Sequence, residues 1–298
     1  MNAFRRAAWG FALGLCMTAC ERAKAPPPID SASVKPAAAV DSSAATAARG
    51  WNPDVGPVIL VAAGSPIQAY VLLPGDSASR ATLSGLPSPA SATLLGRTGT
   101  VQTGEVPSIA DSGSCVTATI GGAPPPRAWN VGFIGGVVAP LAVDSTESFT
   151  SADSISAVTW LNRLASALPN DSAGRFAGLP FVVSGMWRFN LPDGAQVLAA
   201  NLTRQINQEA TPLQEHTFLI AERRASDTTF ATAYSDRSYG DEETIENHDL
   251  LAAMLLGGAR QPAIVVARDF GDATSFGIIE RATPGHWRIG WFSPKRHC

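Results

Sequence analysis

Apolar and polar positions change their spacing several times along this chain, and each spacing predicts an element. Val58–Ala62 and Gln68–Leu73 are short apolar runs bounded by glycine and proline, the pattern of buried strands. Between Gly75 and Pro107 Ser, Gly, Thr and Pro are dense, with weak strand signals near Thr93–Leu95 and Thr98–Thr103. Cys115–Ile120 alternates, and Trp129–Ile134 is a further strand candidate. The period then lengthens. Ile155, Val158, Leu161, Leu164, Ala165 and Leu168 recur every three or four residues, which predicts a first helix over Thr150–Leu168. Ser151 can cap it, and Pro169 stops it by disfavouring the helical region for the residue before it.

A meander follows. Phe181–Phe189, Gln196–Ile206, His216–Arg223 and Thr229–Tyr234 read as four antiparallel strands, with a turn at Pro192-Asp-Gly194. Asp241–Leu256 is predicted as a second helix. Asp241, Glu242 and Glu243 crowd its first turn, where the helix dipole favours acids, and Gly257-Gly258 ends it. Pro262–Arg268, Thr274–Arg281 and His286–Phe292 are three more strands, with Trp287, Ile289 and Trp291 expected on one face. The expected architecture is α+β: mainly antiparallel β-sheet with two amphipathic helices packed on it.

The first twenty residues follow a different logic. Arg5 and Arg6 precede an almost wholly apolar run, Ala7–Leu15, and Met17-Thr-Ala-Cys20 follows. A charged start, a short apolar stretch and small residues before a cut form a secretory signal. The run is too short to span a bilayer core of ~30 Å as a helix. Met17-Thr-Ala-Cys20 resembles the lipobox of bacterial lipoproteins, with Met17 where that family usually has leucine. The resemblance covers residues 1–20 only. It implies a diacylglyceryl group on the Cys20 sulfur and cleavage before it, leaving Cys20 as the first mature residue. Several acyl chains, each contributing ~0.8 kcal/mol per buried methylene, then hold the protein on a membrane.

The domain organisation is thus a signal peptide over 1–19, then a lipidated cysteine and disordered Ala/Pro/Ser linker over 20–50. A globular body occupies 51–298, with a possible split near 149. The linker has almost no apolar residue larger than alanine, so burial cannot offset its ordering entropy. Glu21 follows the cysteine where aspartate would resemble an inner-membrane retention signal. The expected location is the cell envelope, lipid-anchored and extracytoplasmic, with the outer membrane favoured if the cell has two.

Charge removes one class of partner. With Arg5 and Arg6 gone, the 22 basic residues become 20 against 25 acidic, a net charge of −5. Nucleic-acid binding needs a basic face and is not expected. Cys16 leaves with the signal, so Cys115 and Cys298 remain beside the anchor. Outside the cytoplasm such a pair is more often bonded than free, yet spacing alone leaves open both a Cys115–Cys298 bridge and two unpaired thiols.

Candidate chemistry is sparse. The chain has no Gly-x-Ser-x-Gly elbow, no His-Glu-x-x-His and no Walker loop. Asp227, Asp241, Asp269 and Asp272 lack the spacing of a calcium loop and read as turn residues. Tyr234, Asp236 and Arg237 sit on an expected strand-to-helix loop and could line a pocket. Glu215-His216 and His248-Asp249 pair an imidazole with a carboxylate, and Glu246 flanks His248 as well, but such neighbours on a strand or helix do not face each other, and solvated surface is the expectation for both pairs. No catalytic residue, cofactor or metal is assigned. The reading is a lipid-anchored envelope protein acting as a non-catalytic binding or interaction module, whose partner is a protein, glycan or small ligand. The alternative is a periplasmic hydrolase or other enzyme with an unfamiliar active site.

Overall fold

The computed structural model describes residues 58–63, 67–72, 83, 85–112, 115–121, 129–169, 174–206, 212–241 and 245–295. The expected signal peptide, Cys20, the linker and Cys298 lie outside them. All the described residues fall in one contact unit, Ala45–Cys298.

Six strands close an antiparallel barrel: β1 (Val58–Ala62), β2 (Gln68–Leu72), β3 (Ala90–Leu95), β4 (Val101–Asp111), β5 (Val116–Gly121) and β6 (Val131–Ile134). Their order around it is β1-β2-β5-β4-β3-β6. Alternation sends Val58, Leu60, Val71, Leu94 and Ile120 into the barrel interior. Ile59, Val61, Leu72 and Phe133 point outward, yet they too are buried. That double burial explains the unbroken apolar run of β1.

The chain then builds two five-stranded antiparallel sheets. β7 (Val138–Leu141) and β8 (Asp144–Ser145) part company: β7 joins one sheet and β8 the other. After the helix α1 (Ser151–Ala167), the strands β9 (Val182–Asn190), β10 (Gln196–Ile206), β11 (Leu213–Arg223) and β12 (Ala231–Asp241) form the outer sheet, in the order β12-β11-β10-β9-β8. β13 (Asn247–Leu256), β14 (Gln261–Asp269), β15 (Thr274–Thr283) and β16 (His286–Phe292) form the central sheet, in the order β16-β15-β14-β13-β7.

Packing stacks these parts as layers. Ala157, Leu161 and Ala165 of α1 cover one face of the outer sheet, against Met186, Leu198, Ala200 and Leu219. The other face of that sheet, with Phe189, Val197, Phe218 and Ile220, meets Leu250, Ile264, Val266 and Trp287 of the central sheet. The far face of the central sheet, with Met254, Leu256, Val265 and Ile278, meets the barrel wall. A buried polar latch also joins the two sheets. Glu222 of β11 accepts from Arg281 of β15 through both carboxylate oxygens, and also from the Trp287 indole and the Gly285 backbone N–H.

The fold is therefore mostly antiparallel β-sheet, with a single α-helix among the described residues, and the second expected helix is a strand. The run Leu250-Leu-Ala-Ala-Met-Leu-Leu256 belongs to β13 and is buried throughout, because the outer sheet lies on one side of it and the barrel on the other. With both faces apolar, no period of two survives, and the acids before it imitate a helix start. The observed helix is capped by Thr150 rather than Ser151: the Thr150 hydroxyl accepts from the Asp153 N–H at 3.2 Å, and Ser151 is already helical. Trp287, Ile289 and Trp291 do not share a face. A bulge puts Ile278 opposite Trp291 and Ile279 opposite Ile289, leaving Gly290 unpaired. Trp287 consequently packs toward the outer sheet, Trp291 toward the barrel, and Ile289 is exposed. No described helix is long and apolar enough to cross a membrane.

Candidate functional site

The chemistry-bearing side chains gather where the outer and central sheets meet, beside the apolar core between them. Four strands supply them. On β13 and β14, His248 and Arg268 stand directly opposite each other in register. Both lie on the face toward the outer sheet, as Leu250 and Val266 do two residues away. Glu246 precedes β13 by one residue and, two positions before His248, reaches the same place. From the outer sheet, β12 contributes Tyr234 and Asp236, and β11 contributes His216 and Phe218.

The geometry is tight. His248 Nε2 lies 3.2 Å from Glu246 Oε1 and 3.7 Å from Asp236 Oδ2. Its side chain is only 5% exposed, and Nε2 has no hydrogen-bond partner. The ring stacks on Phe218 with centroids 4.6 Å apart, and the His248 carbonyl accepts from the Asn201 amide. Arg268 donates to Glu246 through Nε and to Asp236 through Nη2, while its guanidinium lies over the Phe292 ring. His216 Nδ1 is 3.1 Å from the Glu246 carbonyl oxygen and its Nε2 is 2.9 Å from Gln214 Oε1.

Electrostatics follow from this enclosure. Burial pushes the Asp236 carboxyl up, but the His248 ring and the Arg268 guanidinium outweigh it and hold the group below its ordinary value. Burial pushes the Tyr234 phenol far up, reinforced by Asp236, so it stays neutral. Burial lowers the His216 imidazole, opposed by its contact with the Glu246 carbonyl. Burial disfavours the charge on Arg268, and Glu246 and Asp236 more than restore it. Asp236, Glu246 and His248 each present one potential ligand atom, all within 4.8 Å of one another.

The expected pocket residues split. Tyr234, Asp236 and Arg237 lie on the edge strand β12 rather than on a loop. The first two enter the cluster. Arg237 points to the opposite face, where it pairs with Glu215 and donates to the Pro169 carbonyl. Glu215 is not solvated surface: it is fully buried on the helix side of the outer sheet, between Arg204 and Arg237. His216 is half-buried on the other face, so the pair indeed does not meet, as alternation requires. His248 is buried rather than solvated, and Asp249 faces the barrel, where Arg97 pairs with it at 2.8 Å. Asp269 accepts from the Gly271 N–H as a turn residue does. Cys115 is disulfide-bonded rather than an unpaired thiol, and Cys298, the partner considered for it, lies outside the described residues.

Sequence reasoning missed Arg268, and it set Glu246 aside as a helix neighbour that does not face His248. The signal was the period-two spacing Glu246-x-His248, hidden by the helix assignment. Comparisons with protein-family models, with curated proteins and with solved structures find no match for this chain.

Proposed function

We propose that this chain is a lipid-anchored protein of the bacterial cell envelope whose β-rich body is a non-catalytic binding module for an envelope protein, glycan or small ligand. The observation that carries the reading is Met17-Thr-Ala-Cys20 at the end of a short apolar run with two arginines before it. The Ala/Pro/Ser stretch after it supports a tether that holds the body clear of lipid headgroups, with an r.m.s. reach of ~30 Å for about thirty residues. Support for binding rather than catalysis comes from the Asp236–Glu246–Arg268 ion pairs, which engage both carboxylates with a guanidinium of the same chain.

The convergence of Asp236 and Glu246 on His248 favours a second reading, an envelope hydrolase, because a carboxylate beside an imidazole is how a general base is oriented. The anchor is tested by growth on labelled palmitate followed by membrane fractionation. Wild type takes up label and sediments with membranes, and Cys20→Ala does neither. Equal label in both, or a wild-type chain in the cytosol, refutes the proposal.

A further inference from the structure

We propose that Asp236, Glu246 and His248 bind one divalent transition-metal ion of the zinc class at the point on which their side chains converge. Three observations carry this. The first is spacing. Tetrahedral ligands held at ~2.1 Å from zinc stand about 3.4 Å apart. His248 Nε2 is 3.2 Å from Glu246 Oε1 and 3.7 Å from Asp236 Oδ2, which brackets that separation. The second is direction. An imidazole N–H in an ion pair aims at one carboxylate oxygen. His248 Nε2 is buried beside two and meets the hydrogen-bond geometry of neither, so neither oxygen takes it. A buried nitrogen left so costs free energy unless something else takes its lone pair.

The third is support around the ligands. Phe218 holds the His248 ring by stacking, and Asn201 fixes the backbone beneath it. Arg268 grips the same two carboxylate oxygens that face His248. Each such oxygen has two lone pairs, so it can accept from Arg268 and still offer one to a cation. Ligating carboxylates are commonly hydrogen-bonded in this way from behind. Two carboxylates against one guanidinium leave these three side chains one negative charge in excess, which favours a cation beside them. One nitrogen and two carboxylates suit zinc and its neighbours, whereas calcium takes six or more oxygens. Asp236, whose side chain is 27% exposed, gives the route for ion and water to the fourth position.

The test uses the full chain, stripped with a chelator, incubated with zinc and then desalted, with metal measured by atomic emission. A parallel loading with cobalt reads the visible absorption of a nitrogen–oxygen site. Wild type is expected to retain one ion per chain and to show the cobalt bands. His248→Gln and the rim variant Asp236→Asn are each expected to lose affinity by at least about tenfold. His286→Gln, far from the cluster in sequence and on β16, is expected to bind as wild type does. Circular dichroism verifies that each variant is folded, and Asp236→Asn serves if His248→Gln is not. No zinc in wild type above a protein-free blank, or undiminished binding in either ligand variant, overturns the assignment.

Discussion

Replacing Glu222 by glutamine changes one atom's chemistry and leaves the shape almost untouched, so its cost isolates the buried latch between the two sheets. Oε1 of Glu222 accepts from Arg281 Nη2 at 2.6 Å and from the Gly285 N–H at 2.8 Å. Oε2 accepts from Arg281 Nε at 3.1 Å and from Trp287 Nε1 at 2.9 Å. All four partners are donors. Whichever way the glutamine amide turns, its NH2 group faces two of them, so two hydrogen bonds vanish and donors confront donors. Arg281 keeps Asp193 at 2.6 Å, which limits the damage. Breaking a buried ionic pair by removing one partner costs about 3–5 kcal/mol. For a body of this size each kcal/mol moves the melting midpoint by roughly 2–4 °C, giving a fall of about 6–20 °C. The assay is denaturant unfolding followed by tryptophan fluorescence, since Trp287 reports on the latch itself. The double variant Glu222→Leu with Arg281→Met is expected to cost less than the sum of its single changes, because neither partner is left buried alone. A loss under about 1 kcal/mol for Glu222→Gln, or simple additivity in the cycle, refutes the reasoning.

Two further outcomes are expected. Leu161→Ala empties a fully buried site between α1 and the outer sheet and lowers stability by about 2–5 kcal/mol, measured as the urea midpoint at constant slope. Burial raises the Asp193 carboxyl, but Arg281 and the Ala195 N–H outweigh it and hold it below its ordinary 3.8. A carboxyl depressed in the folded state adds stability above the unfolded value and loses it as pH falls through the folded one. Asp193→Asn is therefore expected to lower the urea midpoint at pH 7 while the gap to wild type narrows by pH 3. The side chain is 47% exposed, so added salt shrinks the gap as well.

Most strands were readable from the amino-acid pattern, and the reasons are local. The unbroken run Val58-Ile-Leu-Val is too short for a helix, and the strands of the outer sheet are separated by turn residues such as Pro192-Asp-Gly194. What failed was decided by neighbours distant in sequence. Leu250–Leu256 lost its alternation because two layers cover it, and only the fold reveals the second layer. Trp291 changed faces through a single unpaired glycine, which no hydropathy period records. The cluster suffered most. His248 and Arg268 lie twenty residues apart and meet only through strand register, while Asp236 arrives from the other sheet. Tyr234 and Asp236 were still legible as a polar-aromatic pair, and alternation alone would have sent Arg237 to the opposite face.

The central sheet is covered on both sides, and this binds the fate of the chain's first half to its second. β7 arrives early in the chain yet completes the edge of β13, so a cut near residue 149 removes a strand as well as a neighbour. Freed from the barrel, Met254, Val265, Phe276 and Ile278 become a wet apolar wall, the kind of surface that draws other copies together. A division near residue 149 therefore parts β7 from β13 and the barrel wall from the face of the central sheet that it covers.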